Sequence, residues 1–382
     1  MGPRSLAGMA DTADRFPSDV YRQRLQRAAE LTAQAGVDAL IVGTGPDFRY
    51  LTGSTADTFE RLTALVVPAG GDPRVVTAKL ELAALRESAI GDLELSVTDW
   101  VDGQDPYRLA MDGLRNDARI AVSDSLPALH LIPLAARTST PPELATDILR
   151  ELRMIKDDAE LDALRRAGAA IDRVHARMGE FLRPGRTEAA VAADIDAAIR
   201  AEGHTGAEFI IVGSGPNGAD PHHEQSDRVI SVDDIVVIDI GGPVSPGYNS
   251  DSTRTYCFAP PRRDITDAYA VLERAQAAAV AAVRPGVTAE SIDAAARQVL
   301  VDAGLGDRFI HRTGHGIGLS VHEEPYIVEG NTDVLREGMA FSVEPGVYVT
   351  GDWGARIEDI VIVTADGCEP VNTRPHGLVQ LS

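Results

Sequence analysis

Four carboxylates in this chain of 382 residues stand among residues that favour β-strands. Asp239, Asp251, Glu344 and Glu358 occupy the segments VVIDIGG, GYNSDSTRTY, FSVEPG and RIEDIVIV. A carboxylate flanked by apolar strand residues is costly to bury without a partner. For any one of them, an acid at a strand end facing water is the simpler interpretation. Four such acids are harder to explain in that way, and bound cations would stabilise them as the dominant local charges.

His315 is a fifth residue that could bind a metal. It lies between two glycines in HRTGHGIGLSVHEEP, where His322 follows it. A lone histidine is more often a packed or surface residue, but glycine permits an unusual backbone and close approach. One histidine and four carboxylates suit Mn²⁺, Co²⁺ or Zn²⁺ rather than a closed structural zinc site, which would use cysteine. Because four carboxylates over-neutralise one divalent ion, we expect two ions, which would generate hydroxide as a nucleophile.

An internal repeat is among the elements that must position these residues. Segments 183–203 and 284–304 both begin Arg-Pro-Gly-x-Thr and end in Gly, and each Thr is placed to cap a helix. In both copies an apolar run ending in an acid follows. The matched pairs are Thr187 and Thr288, Phe209 and Phe309, His222 and His322, and Asp239 and Glu344. The repeat predicts two copies of one α/β unit about a pseudo-twofold axis, with the site on that axis.

Alternating strand and helix patterns precede the repeat. Residues 1–15 look like a loose polar tail, and the alternation after them predicts a small α/β domain at 16–152. A long helix capped by Asp157 or Asp158 then begins a second domain at 153–382. The elements predicted in the first domain are helices at 18–36 and 80–87 and strands at Ala39–Val42, Ala64–Val67 and Arg74–Thr77.

Composition excludes several classes of protein. The formal net charge of −22 repels phosphate backbones, so we expect no nucleic-acid partner. Two cysteines cannot build a disulfide framework, and they fit a reducing compartment. No apolar stretch approaches the roughly 18 residues of a membrane span, and the N-terminus lacks the apolar core of a signal peptide. We expect a soluble, cytoplasmic protein with no membrane partner.

The motifs of the second half resemble those of the "pita-bread" metallopeptidases. The matching segments are NGADPHH, VIDIGG, GYNSDSTRTY, HRTGHGIGLSVHEEP, FSVEPGVY and RIEDIVIV, in the family's order. They are most similar to the proline-specific branch, Xaa-Pro dipeptidase (prolidase) and Xaa-Pro aminopeptidase (aminopeptidase P). In the first half, GVDALIV and FRYLTG resemble a creatinase-type N-terminal domain. The resemblance implies an α/β (α+β) fold with that domain followed by a pita-bread catalytic domain.

The resemblance also implies a role for each matching residue. The implied metal ligands are Asp239, Asp251, His315, Glu344 and Glu358. The implied catalytic residues are Glu344, which moves the proton of a metal-bridging hydroxide as general base, with His322 and His222. The implied substrate-binding residues are His222, His311, His322, Tyr348 and Arg356. His222 is preferred to His223 because it follows Pro221 directly. Since Arg356 stands two residues before Glu358 in a strand-like run, we expect an ion pair between them.

The activity implied is hydrolysis of the Xaa-Pro bond at the N-terminus of dipeptides or short peptides. The resemblance also implies two divalent ions per subunit, with Mn²⁺ as the first expectation and Co²⁺ or Zn²⁺ as alternatives. Many microbial prolidases carry, after the VHExP run, an arginine that can hold a dipeptide's carboxylate; here that position is Tyr326. This points away from a strict dipeptidase unless another arginine substitutes.

Three other functions stay open. The same metal pair could hydrolyse another amide or ester. The domain could be a catalytically dead binding module, although relatives that lost catalysis usually lost ligands too. The acids could instead bind a purely structural ion. Two-domain relatives are commonly dimers, so we expect a homodimer, with 47–58 as a candidate contact loop.

Overall fold

The structure of the protein, a computed structural model, describes residues 15–58 and 60–381. The chain divides into two compact units, and the division falls between Arg153 and Met154. The polar tail expected at 1–15 lies, up to residue 14, outside the described residues. Over the described ranges, no helix is both long enough and apolar enough to cross a membrane.

The first unit is built on a six-stranded mixed sheet in the order β4-β3-β2-β1-β5-β6. Strands β1, β2 and β3 pair antiparallel, whereas β4, β5 and β6 each pair parallel to a neighbour. The strands are β1 Ala39–Gly43, β2 Ala64–Pro68, β3 Arg74–Ala78, β4 Ser96–Trp100, β5 Ile120–Val122 and β6 Glu143–Leu144. The α-helices are α1 Ser18–Gln34, α2 Pro46–Thr52, α3 Pro106–Ala110, α4 Ala128–Ala135 and α5 Thr146–Arg153.

The predicted elements of this unit differ from the structure in one respect. The first helix begins at Ser18, and Gly36 follows its end with φ +71°, a left-handed conformation that glycine adopts at little cost. The three predicted strands form, and β1 and β2 are buried along their whole length. The segment Lys79–Glu87 is a 3₁₀ helix rather than an α-helix, and Leu85 is its one buried side chain. With so little apolar packing, nothing holds this segment in α-helical geometry.

The second unit combines long helices with three sheets. One sheet has the order β11-β10-β12-β15-β16, another β17-β9-β8-β7, and β13 pairs with β14. The helices are α6 Asp158–Ala176, α7 Met178–Phe181, α8 Glu188–Ala201, α9 Arg263–Ala282 and α10 Ala289–Asp302. The strands are β7 Phe209–Ser214, β8 Ile235–Val244, β9 Tyr248–Cys257, β10 Gly314–Gly316, β11 Glu323–Ile327, β12 Ala340–Val343, β13 Gly346–Val349, β14 Trp353–Arg356, β15 Asp359–Val363, β16 Cys368–Pro370 and β17 Val379–Gln380.

The two copies of the repeat have diverged at their helix caps. Before the repeat, Asp157 caps α6 in a capping box with Glu160. In the first copy of the repeat, the Thr187 hydroxyl accepts a hydrogen bond from the Ala190 N–H at the start of α8. Thr288 stands at the matching position before α10, but its side chain makes no capping hydrogen bond there. The side-chain cap predicted at Thr288 is therefore wrong, although α10 begins where the sequence predicts it.

The acids of the two copies also stand differently in their strands. Glu344 directly follows β12, as the pattern of an apolar run ending in an acid predicts. Asp239 instead lies in the middle of β8, which continues through two glycines to Val244. The longer strand pairs along ten positions with β9, so both Asp239 and Asp251 lie within one rigid hairpin.

Candidate metal centre

The register of the β8–β9 hairpin brings Asp239 and Asp251 to one face. Asp239 pairs with Thr253, and Asp251 pairs with Gly241. Cross-strand partners share a face of a sheet, and so do residues two apart in one strand. The two carboxylates are therefore diagonal neighbours, and both are buried, with 7% and 3% of their surfaces exposed.

His315 lies in β10, between β11 and β12, and one backbone carbonyl orients its imidazole. The backbone N–H of His315 donates to the Ser342 hydroxyl at 2.9 Å, and the imidazole Nδ1 lies 3.1 Å from the Gly316 carbonyl oxygen. A carbonyl only accepts, so this contact assigns the imidazole proton to Nδ1 and leaves Nε2 as a lone-pair donor. Nε2 lies 3.5 Å from an Asp251 oxygen and 3.3 Å from Glu344 Oε1.

Glu358 and Glu344 complete the set of carboxylates. Asp251, His315 and Glu358 each present one ligand atom, and these three atoms lie within 4.8 Å of one another. Glu358 Oε2 accepts from the Thr253 hydroxyl at 2.7 Å, and Glu344 Oε1 accepts from the Ser342 hydroxyl at 3.1 Å. Of these four acids, only Glu344 is partly open to solvent, with 15% of its side chain exposed.

The electrostatics of this cluster favour a bound cation. Burial and the nearby Asp239 raise the pKa of Asp251 well above its usual range, and burial and Asp251 do the same for Glu358. Burial would also raise the pKa of Glu344, but a protonated His315, through a hydrogen bond from Nε2 and its charge, outweighs burial and holds that pKa at about 2. Asp239 Oδ1 is buried and has no hydrogen-bond partner among the described residues. Oxygen-rich donors with an imidazole lone pair fit divalent cations, so the residues present suit a metal centre.

Arg356 pairs with Asp239 and not with Glu358, so the predicted ion pair is wrong. Its Nη2 lies 2.5 Å from Asp239 Oδ2, and its Nη1 donates to the Tyr348 hydroxyl at 2.7 Å. The prediction assumed one continuous strand, but β14 ends at Arg356 and β15 begins after Glu358. The two residues therefore do not share a strand face, and the guanidinium is buried against the acid of the other repeat copy.

Tyr348 links Arg356 to His311. The Tyr348 hydroxyl accepts from Arg356 and lies 2.8 Å from His311 Nε2, while His311 Nδ1 lies 2.7 Å from the Arg312 carbonyl oxygen. The carbonyl assigns the proton to Nδ1, so the hydroxyl donates to Nε2. Burial raises the pKa of Tyr348 to about 12 and lowers the pKa of His311, which keeps both groups neutral.

His322 and His222 are exposed histidines near the cluster. The His322 ring centroid lies 4.1 Å from that of His315, at an interplanar angle of 74°. Desolvation and the charge of His315 lower the pKa of His322 to about 4. His223 points away, with its Nε2 2.7 Å from the buried Glu188 carboxylate, so His222 is the member of the pair left exposed.

Sequence reasoning missed the hydroxyl groups that orient the acids. Thr253 follows Asp251 by two residues and Ser342 precedes Glu344 by two. The period-two alternation of strands places such residues on the face of the acid, so this spacing could have identified Thr253. No comparable signal marks the pairing of Arg356 with Asp239, which lie far apart in the chain.

Comparison with known proteins identifies the families that this chain resembles. Residues 162–365 match the profile of "Metallopeptidase family M24", and residues 24–155 match that of the "Creatinase/Prolidase N-terminal domain". The chain is 62% identical over 366 residues to "Probable dipeptidase PepE" of Mycobacterium tuberculosis, which covers 96% of this chain and 98% of the relative. It is 35% identical to "Xaa-Pro dipeptidase" of Lactobacillus delbrueckii subsp. lactis, over 88% and 92% of the two chains.

A solved structure shows the same fold. The crystal structure of "Dipeptidase PepE from Mycobacterium ulcerans" superposes with a TM-score of 0.93 at 62% identity, covering 96% of this chain and 99% of that one. The expected architecture, a creatinase-type domain followed by a pita-bread domain, is thereby confirmed. This chain is a metallopeptidase that belongs to family M24 and carries a creatinase/prolidase-type N-terminal domain.

Proposed function

We propose that this protein is a metal-dependent dipeptidase that cleaves the Xaa-Pro bond. The observation that carries the proposal is the buried cluster of Asp251, His315 and Glu358, with Asp239 and Glu344 beside it. Relatives named dipeptidase and Xaa-Pro dipeptidase support the substrate class. A buried set of four carboxylates with one imidazole has no evident structural purpose without cations, because its members repel one another.

Two divalent ions fit the charge of the cluster, with Mn²⁺ as the first expectation and Co²⁺ or Zn²⁺ as alternatives. The residues that would hold them are Asp239, Asp251, His315, Glu344 and Glu358. When bound, such ions activate water for attack and polarise the scissile carbonyl group.

The protein's own groups supply proton transfer and orientation. The Glu344 carboxylate, partly open and of low pKa, can take a proton from the attacking water and pass it to the proline nitrogen. His322, next to His315 and exposed, is placed to hydrogen-bond the carbonyl oxygen as negative charge develops there. Arg356 and Tyr348 hold Asp239 and His311 in fixed orientations, and the exposed His222 can contact the substrate.

A peptide panel on reconstituted enzyme tests this proposal. We expect enzyme loaded with Mn²⁺, Co²⁺ or Zn²⁺ in turn to cleave Ala-Pro, to cleave Ala-Ala far more slowly, and to lose activity on chelation. E344Q should reduce kcat by at least 10³-fold while circular dichroism stays unchanged. E337Q, which removes an exposed glutamate of the same unit, is the matched control. Full activity of metal-replete E344Q, or equal cleavage of Ala-Ala, would contradict the proposal.

We also propose a homodimer that functions in the cytoplasm. In the first unit, Leu129 and Ile132 of α4 expose 55% and 69% of their surfaces, which is the kind of apolar surface an interface covers. Cys257 and Cys368 are free thiols, as a reducing compartment would keep them. Light scattering of the purified protein tests the first statement: a monomer at micromolar concentration would contradict it.

A further inference from the structure

The segment that carries His322 belongs to no helix or strand. Strand β10 ends at Gly316 and β11 begins at Glu323, so His322 is the last residue of the irregular segment 317–322. The exposed imidazole of His322 contacts the ring of His315, but it makes no hydrogen bond or ion pair with any residue that the structure describes. The position of this imidazole therefore depends on the backbone of segment 317–322.

The first end of this segment is fixed to the β8–β9 hairpin. The Gly318 carbonyl oxygen accepts hydrogen bonds from the backbone N–H of Asn249 at 2.9 Å and from its side-chain amide at 3.0 Å. Asn249 is buried and lies in β9, the strand that also holds Asp251. A strand of the metal centre thus anchors the segment four residues before His322.

The second end of the segment is fixed by the carboxylate of Glu323. Its Oε2 accepts a hydrogen bond from the Ser320 N–H at 3.3 Å, and its Oε1 lies 2.8 Å from Lys156 Nζ. The side chains of Lys156 and Glu323 expose only 1% and 9% of their surfaces, so the cation offsets the cost of burying the carboxylate. A Cβ added at Gly318 would lie 2.6 Å from Glu323 Oε1, so the carboxylate packs directly against this glycine. The segment is therefore folded around one buried ion pair.

Lys156 is itself held in place by the backbone around it. Its N–H donates to the Gly338 carbonyl oxygen at 2.9 Å, and the next residue, Asp157, caps α6. A group that hydrogen-bonds a developing oxyanion must be placed accurately, because a displacement of about 1 Å can reduce the rate about 100-fold. The cation of Lys156 is thus a fixed point to which the segment of His322 is fastened.

We propose that Lys156 and Glu323 are positioning residues, whose ion pair holds segment 317–322 so that the His322 imidazole meets the carbonyl oxygen of the scissile bond. The proposal deepens the proposed function and rests on it for the role of His322. Neither Lys156 nor Glu323 touches the substrate, because both act through the backbone that carries His322. Since that imidazole binds the oxygen most strongly when negative charge develops, loss of the ion pair should lower kcat and leave KM nearly unchanged.

Cleavage of Ala-Pro by Mn²⁺-loaded variants tests the proposal. We expect K156M to lower kcat about 10- to 100-fold while KM stays within about threefold of wild type. G318A should also lower kcat, because its Cβ would displace the Glu323 carboxylate while both charges remain, and this variant serves if K156M is not folded by circular dichroism. R165M is the control: it removes the cation of the ion pair between Arg165 and Glu369, elsewhere in the same unit, and should keep the wild-type kcat.

A double-mutant cycle with H322A separates positioning from a general effect on the fold. H322A alone should lower kcat about 10²- to 10³-fold, as the loss of an oxyanion donor does. K156M/H322A should stay within about threefold of H322A, because the group that Lys156 positions is then absent. The same holds for G318A/H322A. If either substitution lowers kcat as much in H322A as in wild type, or if folded K156M and G318A keep the wild-type kcat, the proposal is wrong.

A spectroscopic measurement distinguishes failure of this proposal from failure of the proposed function. In the Zn²⁺-loaded protein, the NMR signal of the His322 Cε1 proton can be assigned by its absence in H322A. We expect this signal to move or broaden in K156M and G318A, but not in R165M. If wild type does not cleave Ala-Pro and the signal still responds to K156M, the proposed function fails, and the ion pair still positions His322. If wild type cleaves Ala-Pro and the signal is the same in all three variants as in wild type, the positioning role fails and the peptidase stands.

Discussion

Replacing Glu188 by Gln should cost the second unit about 3 kcal/mol of unfolding free energy at pH 7. Glu188 has no exposed surface, and it lies in the first turn of α8. Its two oxygens accept hydrogen bonds from the backbone or side chains of Ser214, Asn217, His223 and Ser226, at 2.6 to 3.2 Å. These contacts hold the segment that carries His222.

The magnitude follows from the pKa of this carboxyl group. Burial alone would raise it, but hydrogen bonds from Ser214, Ser226 and His223 lower it from 4.5 to about 2. At about 1.4 kcal/mol per pH unit, that difference amounts to about 3 kcal/mol. Since the folded-state pKa is the lower one, the stabilisation is fully present above pH 4.5 and is lost as the pH falls from 4.5 towards 2.

Thermal unfolding at several pH values measures this contribution. At pH 7, E188Q should lower Tm by about 6–12 °C, given about 2–4 °C per kcal/mol for a domain of this size. The difference between wild type and variant should shrink below pH 4.5, because wild type loses the same interaction there. E224Q, which neutralises an exposed glutamate of the same segment, should leave Tm unchanged within about 2 °C. A variant that matches wild type at pH 7, or a difference that is constant from pH 7 to pH 3, would refute the reasoning.

Two further predictions concern packing in the same unit. Lys156 Nζ lies 2.8 Å from Glu323 Oε1, and both side chains are buried. Because K156M removes the cation from a buried carboxylate, we expect it to lower the free energy of unfolding, measured in urea, by about 3–5 kcal/mol. A loss below about 1 kcal/mol would contradict this. In G354A the new Cβ would lie 1.8 Å from the Gly218 carbonyl oxygen, so we expect a loss of at least about 1–3 kcal/mol. G367A, where no atom lies within 4 Å, should stay within about 0.5 kcal/mol of wild type, and equal effects of the two glycine variants would exclude the steric explanation.

The parts of the fold that could be predicted are those with local signals. Asp157 and Asp158 marked the start of α6, which Asp157 caps, and the apolar runs marked β1 and β2. The segment Lys79–Glu87 showed the limit of such signals, because its helical spacing could not reveal that only Leu85 would find a buried position. Periodicity predicts which residues share a face, but tertiary packing decides whether that face is covered.

The residue types of the candidate metal centre could be predicted from the sequence, but the contacts between those residues could not. Asp239, Glu344 and Glu358 were conspicuous because of their apolar neighbours, and Asp251 because it lies in a strand-like run. A hairpin register explains why Asp239 and Asp251 converge. The pairing of Arg356 depended on where β14 ends, which no residue near Glu358 signals.

The duplicated fold explains how histidine-bearing segments can be rigid although they lie outside long strands. In the first copy, Glu188 of α8 accepts hydrogen bonds from Asn217 before His222 and from the Ser226 N–H after it. In the second copy, Asp293 of α10 accepts from the Thr313 N–H at 3.0 Å and from its hydroxyl at 2.8 Å, two residues before His315. A buried carboxylate on a helix thus organises the approach to the centre on both sides. Because a helix fixes its carboxylate and the carboxylate fixes backbone N–H groups, each copy holds the segment next to its histidine through a contact from a helix.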